Sequence, residues 1–149
     1  MFATLTHATG LSSTGDATLD ARLPLPEPYR LPRRTADAIA RAGRIVAIGT
    51  TVTRALEHAA RGGRVRAGGG VADQRIGPET ELAIVDAIRT GTHEPGSSHH
   101  QLLHAFAEDG VLAHAADVLA AEGFRTHEFG DSMLVEWRAS AAARGSRAA

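Results

Sequence analysis

The sequence predicts an α/β fold, a three-layer α/β/α arrangement around a central sheet. Three observations point there. A compact apolar run, Arg44-Ile45-Val46-Ala47-Ile48, is flanked by segments with helical spacing, as a buried parallel strand is. A glycine, Gly49, follows it directly and opens the next helix. Strand-like and helix-like segments then alternate to the end of the chain.

The elements follow in order. Residues 3 to 7 alternate as a short strand does, and Gly10 to Gly15 reads as a Ser/Thr/Gly loop. Pro24, Pro26, Pro28 and Pro32 come close together. Each restrains its own φ and the residue before it, so this stretch should run extended. A helix begins after Pro32. The apolar run at 44 to 48 is expected to be a strand buried on both faces, with Ile45, Val46 and Ile48 in the core. Thr50 or Thr51 then caps a helix carrying Val52, Leu56 and Ala59. Arg61 to Gly70 reads as a hairpin with a mobile tip at Gly68-Gly69-Gly70. Leu82 to Ile88 reads as a strand, with a helix as the alternative, and Thr90 to Gly96 as a loop. A helix capped by Ser97 or Ser98 carries Leu102, Leu103 and Phe106 and ends near Gly110. Another, with Leu112, Ala116 and Leu119, stops at Gly123. Ser132 to Trp137 is the last strand, and residues 139–149 are expected to be a disordered tail.

Composition removes several function classes. The 149 residues suit one domain or part of a larger one, and the net charge of -1 gives no global pull toward nucleic acid. All 16 basic residues are arginines, so neither a Schiff-base lysine nor a phosphate-loop lysine exists. There is no cysteine, which excludes thiol catalysis and cysteine-based zinc sites. No signal-peptide pattern and no membrane-length apolar run is present, so the expected location is cytoplasmic, away from the membrane.

Three places can carry chemistry. The first is Ile48-Gly49-Thr50-Thr51-Val52-Thr53-Arg54, where a strand ends and a helix N-terminus offers free amides to a polar or anionic group. It also reads as an ordinary strand–helix turn. The second is Thr92-His93-Glu94-Pro95 with Ser97, Ser98, His99 and His100. There a histidine that titrates near neutrality sits beside a carboxylate and two hydroxyls; a solvated polar loop is the plainer reading. The third is His127-Glu128-Phe129-Gly130-Asp131-Ser132, whose aspartate either faces a site or bonds its own turn. His100 and His104 have metal-ligand spacing, with His93 or His99 as a third donor, which leaves a metal-dependent hydrolase as one alternative.

Taken in order, these segments resemble one family. They are Thr6-His7-Ala8-Thr9-Gly10-Leu11-Ser12-Ser13, Glu27-Pro28-Tyr29-Arg30-Leu31-Pro32, and the block from Gly43 through Gly49-Thr50-Thr51-Val52, Arg54, Leu56 and Glu57. Val85 to Pro95 and His127 to Leu134 follow. The succession is similar to the C-terminal part of the S-adenosylmethionine:tRNA ribosyltransferase-isomerases of queuosine biosynthesis. The resemblance assigns residues 1–138 to that part of an α/β domain, without the family's inserted β-barrel. It implies transfer and isomerisation of the ribosyl unit of S-adenosylmethionine onto a 7-aminomethyl-7-deazaguanine base in a tRNA anticodon, giving epoxyqueuosine. It implies cofactor contacts at Gly49, Thr50, Thr51, Arg54 and Glu57, and proton handling or substrate contacts at His7, His93 and Asp131, with no metal. Family members are longer, so activity is expected to need the missing N-terminal region, from a separate chain or segment. The family's usual aromatic before the loop histidine is Thr92 here, and an aromatic platform is worth roughly 1–3 kcal/mol per stacked base. The other alternative is a catalytically silent ligand-binding or interaction domain of the same fold.

Overall fold

A proline sits inside the central strand of the first sheet, and the register explains why it is tolerated. The computed structural model describes residues 1–11, 14–125 and 130–137. Strand β1 (Thr6–His7) pairs antiparallel with β2 (Glu27–Leu31), and β2 pairs antiparallel with β4 (Gly68–Ala72). The carbonyl of Pro28 accepts from the Ala8 N–H at 3.0 Å. Its missing N–H therefore also faces the β1 side, just past that two-residue strand, and no bond to β4 is lost.

A short helix, α1 (Ala17–Asp20), precedes β2, and α2 (Arg33–Ala40) follows Pro32. Next come β3 (Val46–Ile48) and α3 (Thr50–Ala59). Beyond β4 lie β5 (Ala87–Gly91), α4 (Ser98–Leu103), α5 (Asp109–Ala121) and β6 (Ser132–Glu136). β3 pairs parallel with β5, and β5 pairs antiparallel with β6. The fold is α/β, with its strands divided between two three-stranded sheets, β1-β2-β4 and β3-β5-β6, rather than gathered into one central sheet. Helix α3 touches strands of both sheets. It is buried nearly all round, as a helix between two layers must be. The core gathers Leu31, Leu56, Val85, Ile88, Leu103 and Phe106.

Several expectations are corrected. Val46 and Ile48 are 44% and 55% exposed, while Ala47 between them is 1% exposed. Ile45 is half-buried. The β3-β5-β6 sheet is covered on the face of Ala47, Ile88 and Val135, and its other face shows Val46, Ile48 and Leu134 to solvent. The glycines at 68 to 70 form the body of β4, not a mobile tip. Gly70 is required there because a Cβ would lie 2.5 Å from the Tyr29 hydroxyl and 2.7 Å from its ring. The strand expected over 82 to 88 begins only at Ala87. The Glu57 carboxylate binds the N–H groups of Ala83, Ile84 and Val85 at 2.6, 3.1 and 2.9 Å, and so takes the place of a neighbouring strand. Helix α4 ends at Leu103, leaving Phe106 buried in a turn, and Gly110 lies inside α5 rather than at a helix end. The tail at 139–149 and His127-Glu128-Phe129 lie outside the described residues.

Candidate functional site

The turn between β3 and α3 is built on Gly49. Its φ of 97° lies in the region that side chains other than glycine's rarely enter, and it is itself the N-cap of α3. Neither Thr50 nor Thr51 caps the helix, contrary to expectation; no side chain does. Gly49 is held from both sides. Its N–H donates to the Arg89 carbonyl at 2.9 Å, and its own carbonyl accepts from the Thr53 N–H and hydroxyl, both at 3.1 Å. The first amides of α3, from Thr50 onward, have no intrahelical acceptor, which is the general state of a helix start. Thr50 and Thr51 are each 9% exposed, and the Thr51 hydroxyl donates to Glu27 Oε1 at 3.2 Å.

Arg54 and Glu57 point their polar groups into the fold. Arg54 donates to the carbonyls of Leu25, Ala72 and Gln74 and to Glu27 Oε2 at 2.6 Å. Burial pulls its pKa down and Glu27 pulls it back up. Arginine stays protonated even so, and a buried pair of this kind needs every remaining donor satisfied. Glu27 Oε1 also accepts from the Gly10 N–H at 3.1 Å, tying the loop after β1 to the same cluster. Glu57 is occupied by the three amides of the 83–85 segment. Both residues therefore shape the turn from beneath. Glu27 was not foreseen as part of this cluster; a lone glutamate among prolines gives no sequence signal of its burial.

His93 and Asp131 lie at the end of the sheet where Gly49 also lies. β3 leads into Gly49, β5 leads into Thr92 and His93, and Asp131 precedes the antiparallel β6. The Thr92 N–H donates to the Asp131 carbonyl at 3.1 Å. Asp131 is exposed, and its Oδ2 accepts from the Arg125 N–H at 2.9 Å. His93 Nε2 is 2.7 Å from the Thr90 hydroxyl, and its ring meets that of His99 edge-on at 4.9 Å. Burial first, then His99 and His100, lower its pKa to about 4, so its imidazole is neutral at pH 7. Thr90, three residues before His93 and on the covered sheet face, is a partner that sequence reading missed. His7 belongs to the other sheet, where it pairs with Tyr29, and its Nδ1 is buried without a hydrogen-bond partner among the described residues.

The expectation that His7, Gly49, His93 and Asp131 line one cavity is not met. A cavity of about 310 Å³ opens beside His93, but its walls come from Leu103, Leu112, Phe124 and Met133 rather than from the other three. A histidine metal site is likewise not assembled. Among the described residues no group of three or more His, Asp or Glu side chains is arranged to hold a metal. His104 Nδ1 is instead 2.6 Å from Asp109. No helix among the described residues is long and apolar enough to cross a membrane.

Comparison with known proteins agrees with this reading of the segments. A family model described as "Queuosine biosynthesis protein" matches residues 2–135. An S-adenosylmethionine:tRNA ribosyltransferase-isomerase of Citrifermentans bemidjiense is 42% identical over 113 residues, 73% of this chain and 33% of that protein. Its counterpart in Deinococcus radiodurans is 39% identical over 119 residues, 77% of this chain and 33% of that protein. The crystal structure of an S-adenosylmethionine tRNA ribosyltransferase from Thermotoga maritima superposes with a TM-score of 0.67 at 36% identity, covering 72% of this chain and 40% of that one. The chain thus spans about a third of the length of the curated relatives it matches. With a match that runs over most of its length, the chain belongs to the queuosine biosynthesis protein family.

Proposed function

We propose that this chain forms the C-terminal part of a ribosyltransferase-isomerase site. The reaction moves the ribosyl unit of S-adenosylmethionine onto 7-aminomethyl-7-deazaguanine in tRNA, releases adenine and methionine and gives epoxyqueuosine, with the rest of the fold supplied by another chain or segment. The observation that carries this reading is the convergence of the Gly49 turn, His93 and Asp131 on one end of the β3-β5-β6 sheet. Ligands of open α/β sheets bind at the carboxyl ends of parallel strands. A tRNA substrate goes with a cytoplasmic location.

Each residue has a role in that scheme. The amides at the start of α3, those of Thr50 and Thr51 included, and the Thr50 hydroxyl hold a polar group of S-adenosylmethionine, while the Thr51 hydroxyl stays on Glu27. Asp131, an exposed carboxylate, faces the positively charged sulfonium. That sulfonium acidifies the adjoining methylene. A positioned base takes the proton, the C–H electron pair stays on carbon beside sulfur, and an ylide results. His93, held neutral by burial, is fit to exchange a hydrogen bond with substrate rather than to take the proton, while His7 is a substrate contact from the other sheet. Arg54 and Glu57 are positioning residues, since they hold the turn and the 83–85 segment without reaching its surface. Site dipoles then stabilise the departing adenine.

A second reading has its own support. The exposed Val46, Ile48 and Leu134 suit a silent domain whose task is to bind another polypeptide. Calorimetric titration with S-adenosylmethionine separates the two. The transferase reading expects binding that Thr50→Val and Asp131→Asn each weaken by about tenfold, the equivalent of one good hydrogen bond or charge contact. A folded chain that takes up no S-adenosylmethionine would leave the silent domain standing.

A further inference from the structure

Helix α5 departs from the usual relation between composition and burial. Val111, Leu112, Val118 and Leu119 and a series of alanines make it apolar on all sides. Such a helix normally lies inside a protein. Here only Leu112 is buried. The side with Leu112, Ala116 and Leu119 lines the cavity beside His93. The opposite side is bare, with Val111 59% and Val118 45% exposed.

That bare side has the pattern of a helix seam. Gly110, His114, Asp117 and Ala121 are all exposed and follow one another at spacings of four, three and four residues. This is the heptad spacing that keeps one stripe of a helix against another helix. Val111 and Val118 flank the stripe on one side, and Ala113 and Ala120 on the other. Neither His114 nor Asp117 has an ion-pair partner among the described residues.

The stripe complements itself when two copies run antiparallel about a two-fold axis at its middle. His114 then lies opposite Asp117 of the second copy, and Asp117 opposite its His114. A carboxylate accepts from an imidazole N–H, and this contact occurs twice. Gly110 meets Ala121 at each end. On one flank Val111 lies beside Val118 of the second copy, so the exposed valines cover each other. Each contact is reciprocal, as an isologous interface requires. A parallel pairing would instead set Asp117 against Asp117, like charge against like. A polar pair within an apolar seam is a known way of fixing register and orientation.

We propose that α5 is a self-association helix: two copies of this chain pair through antiparallel α5 helices, with His114 of each set against Asp117 of the other. The pairing goes beyond the transferase reading and does not depend on it. It also steadies the wall of the cavity beside His93, since Ala116 and Leu119 on the inner side of α5 belong to that wall. A helix of 13 residues is about 20 Å long. Two of them make a smaller contact than the standard interface of about 1,600 Å², so the dimer is expected at micromolar concentrations and above.

Sedimentation velocity of the whole chain over a concentration series tests this. The original chain should pass from monomer to dimer and no further, because a two-fold contact closes. Val118→Arg alters an exposed side chain and should raise the dissociation constant by at least about tenfold. Asp117→His sets histidine against histidine, and His114→Asp sets carboxylate against carboxylate. Each should weaken the dimer about tenfold, and the double variant His114→Asp/Asp117→His should restore it. Circular dichroism on each variant separates lost pairing from lost folding. A chain that stays monomeric up to about 1 mM overturns the proposal. So does an open-ended series of oligomers, a dimer indifferent to Val118→Arg, or a double variant that stays weak. Association that Ile48→Thr with Leu134→Thr removes would put the second copy on the bare sheet face and overturn it too.

Discussion

The two sheets of this molecule are finished to different degrees. Around β1-β2-β4 the buried charges are closed into a cluster. Arg54 is 2% exposed and Glu27 6%, and between them they bind three carbonyls, the Gly10 amide and the Thr51 hydroxyl. Around β3-β5-β6 much is left open. Val46, Ile48 and Leu134 face solvent. A closed polar cluster specifies a local structure and has little left to offer a ligand. An open apolar sheet face is where binding energy remains available. The second region is therefore the one to search for function, and the first is the one to break for stability.

The largest effect is expected from the closed cluster. Arg54→Met strands the Glu27 carboxylate in the interior, and breaking a buried pair from one side costs about 3–5 kcal/mol. Urea unfolding should show that loss, and adding Glu27→Gln should recover part of it. A single-variant loss below about 1 kcal/mol, the value of an exposed pair, would mean that the cluster does not hold the sheet to α3. Glu57→Ala comes next. It leaves the amides of Ala83, Ile84 and Val85 without their carboxylate and should cost about 1–3 kcal/mol. Hydrogen exchange should speed up at those three amides ahead of global unfolding.

How much of this was legible in the sequence follows the same division. The Gly49 turn, the Ser97 cap, the stop at Gly123 and the last strand are local, and each was readable from neighbouring residues. Ser97 Oγ does accept from the His100 N–H, and β6 does begin at Ser132. What escaped depends on distant partners. Glu57 delays β5 from 26 or more positions away, and pairing with β2 makes a strand of glycines that read as a loose tip. Arg54 and Glu57 looked like ligand contacts because charged residues beside a glycine turn often are. Only the fold reveals that their groups are already in use. Nor does a strand's composition tell which of its faces will be covered, which is why Val46 and Ile48 were expected inside.

The region around His93 should announce itself through pH. Its pKa of about 4 in the folded chain lies below the ordinary 6.5, so the unfolded chain takes up the proton first. The stability this site contributes is then complete above about pH 6.5 and is lost as the pH falls toward 4. His93→Asn should flatten the slope of stability against pH across that window. His58 and His100 also have lowered values, so some slope will persist in the variant. An unchanged slope would mean that the imidazole is not held neutral by burial.

The smallest effect is the one that most sharpens the contrast between the sheets. Ile48→Thr and Leu134→Thr change apolar side chains that are 55% and 56% exposed, and threonine keeps the strand preference of a β-branched residue. Each should move the stability of this chain by no more than about 0.5 kcal/mol, the range of surface substitutions. Both lie on one sheet face, since Ile48 and Leu134 each sit opposite Arg89 in β5. If the double variant stays as stable as the original in urea, the face is free in the isolated chain and available to a partner. If it loses several times that amount, the face is already covered by a second copy. Raising the protein concentration should then raise the original chain's unfolding midpoint, because association stabilises by mass action.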